Sequence, residues 1–129
     1  MIPYYQEIDV TVSWDPINKW LSVDWRNVPS QQTVINGCEA MLKLLIAKQA
    51  TLVFNDNGQI TGTWVRASKW VAEKWFPRMI AAGLEKFAWI ESPASTLSVI
   101  SAKRSASKNK EGVIRLFKDK SEAENWLRE

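Results

Sequence analysis

A chain of 129 residues with a net charge of +3, 46% apolar and 24% charged residues has the balance of one globular domain over residues 1–129. At that size it buries roughly two thirds of its unfolded surface. The single cysteine, Cys38, excludes an intrachain disulfide, and the absence of histidine excludes Ser–His and Cys–His catalysis and makes a transition-metal site unfavourable. No basic-then-apolar leader opens the chain and no apolar run approaches the ~20 residues of a membrane span, so a soluble, cytoplasmic protein without metal or cofactor is expected.

The segment QEIDVTVSW, residues 6–14, alternates Ile8, Val10, Val12 and Trp14 with polar residues and predicts one half-buried strand. After the turn chemistry of DPIN, residues 15–18, LSVDW alternates again with Leu21, Val23 and Trp25 inward. The two strands predict an antiparallel hairpin with one wet face. Pro29 and Ser30 then mark a change of period. Val34, Cys38, Met41, Leu42 and Leu45 recur at helical spacing, with Ser30 as N-cap and Cys38 on the apolar stripe as a core thiol.

TLVFN, residues 51–55, is an apolar run of the kind buried on both faces of a sheet. A second helix is expected from about Thr63 to Ala82, kinked or broken near Phe76 by Pro77 and ended by Gly83. KFAWIE, residues 86–91, reads as a strand, residues 94–104 as a helix opened by Pro93, and VIRLF, residues 113–117, as the last strand. SEAENWL then offers a capping box between Ser121 and Glu124, and a closing amphipathic helix uses Ala123, Trp126 and Leu127. The alternation implies an α/β fold: a mixed, largely parallel sheet with an N-terminal antiparallel hairpin and about four helices.

Between the run TLVFN and the second helix stands FNDNGQITGT, residues 54–63. It lacks the Gly-Lys-Ser/Thr ending of a P-loop, and the acidic spacing and bidentate glutamate of an EF-hand are absent. What remains is a strand-to-helix loop at the carboxyl end of a parallel strand, the usual binding place of open α/β sheets. Asp56, Asn57, Gly58, Thr61 and Thr63 are therefore the candidate loop for a partner or ligand. The loop reads first as a turn with a Thr cap and second as an anion-receptive helix start.

The chain resembles the STAS-type domains of the anti-sigma-factor antagonists, and in particular the SpoIIAA-like group with its CRAL-TRIO flavour. The opening hairpin, EKWFPRMIAAGLEKFAWI (residues 73–90) and VIRLFKDKSEAENWL (residues 113–127) carry the resemblance. It implies a non-enzymatic regulatory or protein-interaction module, acting through a homodimer or another protein. In the antagonists the corresponding loop resembles Phe-x-Asp-Ser-Ser/Thr-Gly and its serine is phosphorylated. Here Phe54 and Asp56 fit that pattern, while Asn57 stands where the acceptor hydroxyl belongs, so the phosphorylation switch is not carried over.

Eight tryptophans are present. On a helical wheel Trp64, Ala72, Trp75, Phe76 and Met79 share a core stripe, whereas Trp70 falls among charged residues. Strand alternation places Trp20 with Ser22 and Asp24 on the wet face. Trp20 and Trp70 are thus the candidate exposed aromatic contacts. The alternative function is a carrier or sensor of a small apolar or amphipathic, anionic, lipid-like ligand in a tryptophan-lined pocket between helix and sheet. Enzymatic use of Asp24, Asp56 or Glu73 ranks below both, because no spacing joins them. Nucleic-acid binding ranks last: the basic run KRSASKNK, residues 103–110, has no interleaved aromatics.

Overall fold

The structure, a computed structural model, describes residues 1–62, 65–92 and 112–129. Its centre is a six-stranded sheet in sequence order, β1 to β6. The strands are β1 (Ile2–Glu7), β2 (Val10–Asp15), β3 (Trp20–Asn27), β4 (Leu52–Ile60), β5 (Lys86–Ile90) and β6 (Ile114–Phe117). β1, β2 and β3 form an antiparallel meander, and β3 through β6 run parallel.

The meander corrects the single strand expected over residues 6–14. The chain turns at Ile8–Asp9, so Ile8 is not on the inward face but 87% exposed at the turn. Alternation persists across the turn because Glu7 pairs with Val10, which makes a hairpin and a continuous strand indistinguishable by period. Beyond the turn the expected inward residues Val10, Val12, Leu21, Val23 and Trp25 are buried, while Trp14 is half-buried against the edge of the core.

Helix α1 (Gln31–Lys48) connects β3 to β4 and covers one face of the sheet. Ser30 is its N-cap: extended backbone turns the hydroxyl to accept from the Thr33 amide at 3.1 Å, which satisfies an otherwise orphaned donor. Val34, Cys38, Met41, Leu42 and Leu45 are buried, as their spacing predicts. Gly37 is required by contact rather than by backbone angle, because a Cβ there would lie 2.6 Å from Cη2 of Trp25.

The second helical run has three parts: α2 (Val65–Trp70), a π-helical turn (Val71–Trp75) and α3 (Phe76–Ala81). The break expected at Phe76 is instead a widening. The Phe76 amide donates to the Val71 carbonyl, the i to i−5 bond of a π turn, and Pro77 follows at the start of α3, where its missing N–H is tolerated. The wider turn brings Val71 fully inward with Trp75, Phe76 and Met79, while Ala72 is only half-buried. Gly83 ends the run with φ of 115°, a conformation that favours glycine.

The last helix, α4 (Lys120–Arg128), lies on the opposite face of the sheet. Its N-cap is Asp119, not Ser121: the carboxylate accepts from the Ser121 amide at 2.8 Å and from the Ser121 hydroxyl at 2.9 Å. Glu124 pairs with Arg128 instead of closing a capping box. Ala123, Trp126 and Leu127 are buried as expected. The helix expected over residues 94–104 and the basic run at 103–110 lie outside the described residues.

Two cores result. The larger lies between α1, the second helical run and one sheet face. The smaller, beneath α4, contains Trp20, Phe54, Ala88, Ile90, Ala123, Trp126 and Leu127.

Candidate functional site

The stretch expected to be a loop is mostly strand. Asp56, Asn57 and Gly58 all belong to β4, which runs on to Ile60. Between the pairs Asp24–Asp56 and Arg26–Gln59, β3 advances by two residues and β4 by three, so β4 carries a bulge at Asn57–Gly58. The Asp-Asn-Gly composition that suits a turn also suits a bulge, since both need a local departure from the pleat. Asp56 completes it by accepting from the Gly58 amide at 2.8 Å.

The bulge separates the candidate residues. Asp56 is 8% exposed and its second carboxylate oxygen lies 3.2 Å from Nζ of Lys120, at the start of α4. Asn57 is 5% exposed and lies among the residues lining a cavity beneath α1. Thr61 is exposed and its amide continues the ladder to the carbonyl of Asn27 at 2.8 Å. Thr63 lies outside the described residues. No common surface joins Asp56, Asn57 and Gly58 as one docking loop.

The exposed-aromatic reading is also corrected at Trp20. It is 3% exposed, packed under α4 and stacked with Phe54 at 6.2 Å between ring centroids. Hairpin alternation correctly places it opposite Leu21, but sequence reasoning did not place α4 on that face. Trp70 is half-buried, with one side packed against the larger core.

The site that the structure assembles is the cavity. It has a volume of about 30 Å³ and is partly open to solvent. Because a water needs roughly 10–15 Å³ on this measure, about two waters fit. Pro29, Val34, Cys38 and Met41 line it near and along α1, Val71, Trp75 and Phe76 line it from the π turn onward, and Phe87 and Trp89 line it from β5. Trp25, Asn55, Asn57 and Ile60 supply the wall nearest the carboxyl ends of β3 and β4.

Four of these residues, Trp75, Phe76, Phe87 and Trp89, form a set of aromatic rings in edge contact. Phe76 and Phe87 meet at 5.0 Å and 88°, Trp75 and Phe87 at 5.9 Å and 81°, and Phe87 and Trp89 at 5.8 Å and 75°. Positive ring edges against negative faces favour such packing and give the wall defined shape. Trp75 is fixed further by an indole N–H donated to the Cys38 carbonyl at 2.8 Å.

The polar end is a short relay. Trp25 Nε1 donates to Asn55 Oδ1 at 2.8 Å, and Asn55 Nδ2 donates to Asn57 Oδ1 at 3.1 Å. An indole nitrogen only donates, so the carbonyl of Asn55 must face Trp25; that turns its NH2 to Asn57, which must answer with its own oxygen. The NH2 of Asn57 is then left at the cavity wall, with no acceptor among the described residues. Cys38 adds no reactive thiolate: burial, assisted by the nearby carboxylate of Glu39, pushes its pKa well above the ordinary thiol value.

Among the described residues the cavity wall carries no charged side chain, and no cluster of three or more His, Cys, Asp or Glu is placed to hold a metal ion. No helix among them is long and apolar enough to cross a membrane. Sequence reasoning anticipated a tryptophan-lined pocket between helix and sheet but did not name Trp25, Asn55, Trp75 or Trp89 as its wall. The signal was available in the i, i+2 spacing of Asn55 and Asn57, which puts both amides on one strand face. Comparison of the sequence with family models and with curated proteins gives no match.

Proposed function

We propose that the protein is a non-enzymatic carrier or sensor of a small, largely apolar ligand, built on a STAS-like scaffold. The observation that carries this reading is the aromatic cavity ending in the buried Trp25–Asn55–Asn57 relay. The Asn57 amide offers a donor at the partly open cavity that a ligand can take up, and a wall of rings rewards apolar contact. Its position near the carboxyl ends of parallel strands is the place where open α/β sheets receive ligands. The π turn and the bulge supply independent support, because both irregularities are concentrated at functional sites and here both border the same cavity.

The test is native mass spectrometry of the protein purified without denaturation, followed by organic extraction. A co-purified small molecule released on unfolding, together with changed tryptophan emission when it is added back, supports the reading. Protein free of any adduct, whose emission and thermal stability respond to no member of a broad apolar fragment set, overturns it.

A second reading is favoured by β1, the antiparallel edge of the sheet. Ile2 is 57% exposed, Tyr4 48% and, in the turn that follows the strand, Ile8 87%, and among the described residues the outer edge of β1 has no strand partner. Such an edge is a template for pairing, and a second copy of the chain supplies an identical antiparallel edge across a twofold axis. Sedimentation velocity on the wild type and on Tyr4→Lys tests this homodimer: a dimer lost in the variant supports it, and a monomeric wild type removes it.

A further inference from the structure

Resting on the ligand-pocket reading, we infer that the cavity selects a compact neutral molecule by a hydrogen-bond-accepting oxygen, a carbonyl or ether, that receives the NH2 of Asn57. The relay fixes the polarity. Trp25 can only donate, so each amide in turn is oriented, and the end presented to the cavity is a donor rather than an acceptor. Asn57 is buried as a residue and its oxygen is engaged by Asn55, so the amide is held with this donor toward the partly open cavity.

The charge of the ligand's buried end follows from the wall. Among the described lining residues there is no lysine or arginine to balance a carboxylate, and the surroundings are ring faces, Met41 and Ile60. Burying an ion there without a counter-charge costs far more than one amide hydrogen bond returns. Of the carboxylates nearby, Asp56 belongs to the opposite sheet face and is engaged by Gly58 and Lys120, and Glu39 is paired with Arg78. An anionic head inside the cavity is therefore disfavoured, and a neutral oxygen is favoured. Room for about two waters limits the enclosed part to a few heavy atoms, with the remainder at the partly open mouth.

The experiment is a nuclear magnetic resonance titration of the full chain with cyclopentanone, cyclopentane and cyclopentanecarboxylate, following the Trp25 indole and Asn57 side-chain NH2 signals. The same titrations are run on Asn57→Asp, which keeps the oxygen that accepts from Asn55 but removes the donor. Expected are saturable shifts at both groups with the ketone, at least about tenfold weaker binding of the acid, and about tenfold loss of the ketone's advantage over the hydrocarbon in Asn57→Asp. Equal binding of acid and ketone by the wild type overturns the inference while leaving a ligand pocket in place. So does an unchanged ketone-to-hydrocarbon ratio in the variant. Failure of all three compounds to perturb the cavity signals overturns the pocket reading itself, and the inference with it. The wild-type comparison decides between these outcomes even where Asn57→Asp does not fold.

Discussion

Trp25 and Asn55, thirty residues apart, are joined by a buried 2.8 Å bond from the indole N–H to the amide oxygen. Both side chains are buried, Trp25 5% and Asn55 3% exposed, so removing one partner strands the other's polar atom. Asn55→Leu is expected to cost about 1–3 kcal/mol, the usual penalty for stranding a buried donor. The double variant Trp25→Phe with Asn55→Leu is expected to cost less than the sum of the single changes, because Trp25→Phe removes the donor that Asn55→Leu strands. Urea unfolding of the four proteins measures the coupling, and strict additivity would show that the bond contributes nothing.

Gly37 holds Trp25 in that position from the other side, since a Cβ at this site would sit 2.6 Å from Cη2 of the ring. Gly37→Ala brings opposed effects: a helix-propensity gain of up to about 1 kcal/mol against an overpacking cost of typically 1–3 kcal/mol. Gly37→Val loses most of the gain and deepens the clash, so it is expected to be destabilised by more than Gly37→Ala and to shift the Trp25 indole resonance. Thermal unfolding and the indole N–H spectrum test this. An unshifted indole in Gly37→Val would mean that the helix, not the ring, yields.

These contacts show what was legible in the sequence. Period reveals which residues share a face, so the α1 stripe and the inward set Val10, Val12, Leu21, Val23 and Trp25 were readable. Period does not reveal what lies over a face. Trp20 is on the side of Ser22 and Asp24 as expected, yet α4, drawn from the far end of the chain, buries it. The Asp-Asn-Gly stretch failed for a different reason. Turn and bulge make the same local demands, and the strand pairing that decides between them comes from β3. The cavity was visible only as a class, because its wall joins β3, β4, β5, α1 and the π turn.

Trp20 therefore belongs to stability rather than to a surface. Trp20→Ala is expected to cost about 3–5 kcal/mol, the range for removing a large core aromatic. It also removes the ring beneath the Arg128 guanidinium, 5.3 Å from the ring centroid, so exchange protection should fall in α4 before it falls in α1. Hydrogen exchange on the variant reads this out. A loss below about 0.5 kcal/mol would return Trp20 to the class of exposed contacts.

Cys38 lines the cavity but is 3% exposed, and burial holds its thiol in the neutral form. The thiolate is the reactive species, so modification at pH 8 is expected to be slow in the native protein and to accelerate with sub-denaturing urea in step with opening. Ellman's reagent gives the rate directly. Immediate stoichiometric reaction without denaturant would show that the cavity admits the reagent and exposes a thiolate.

Among the described residues, two carboxyls have pKa values held below the ordinary one. At Asp119, the amide of Ser121, followed by its hydroxyl, holds the pKa below the usual carboxylate value. At Asp15, burial opposes ionisation, but the side chain of Asn18 and the amides of Asn18 and Ile17 outweigh it and lower the pKa as well. A lowered native pKa means that the unfolded state takes up the proton first. The stabilisation is therefore complete above about pH 4 and is lost as pH falls through the native values. Asp119→Asn, which weakens the cap of α4, is expected to lower the melting temperature at pH 7 and to converge on the wild type only as pH falls through the lowered native pKa of Asp119, where both caps are uncharged. Melting curves of the two proteins from pH 2 to pH 7 supply the measurement. A deficit that stays constant across that range would show that the charge on Asp119 plays no part in holding α4.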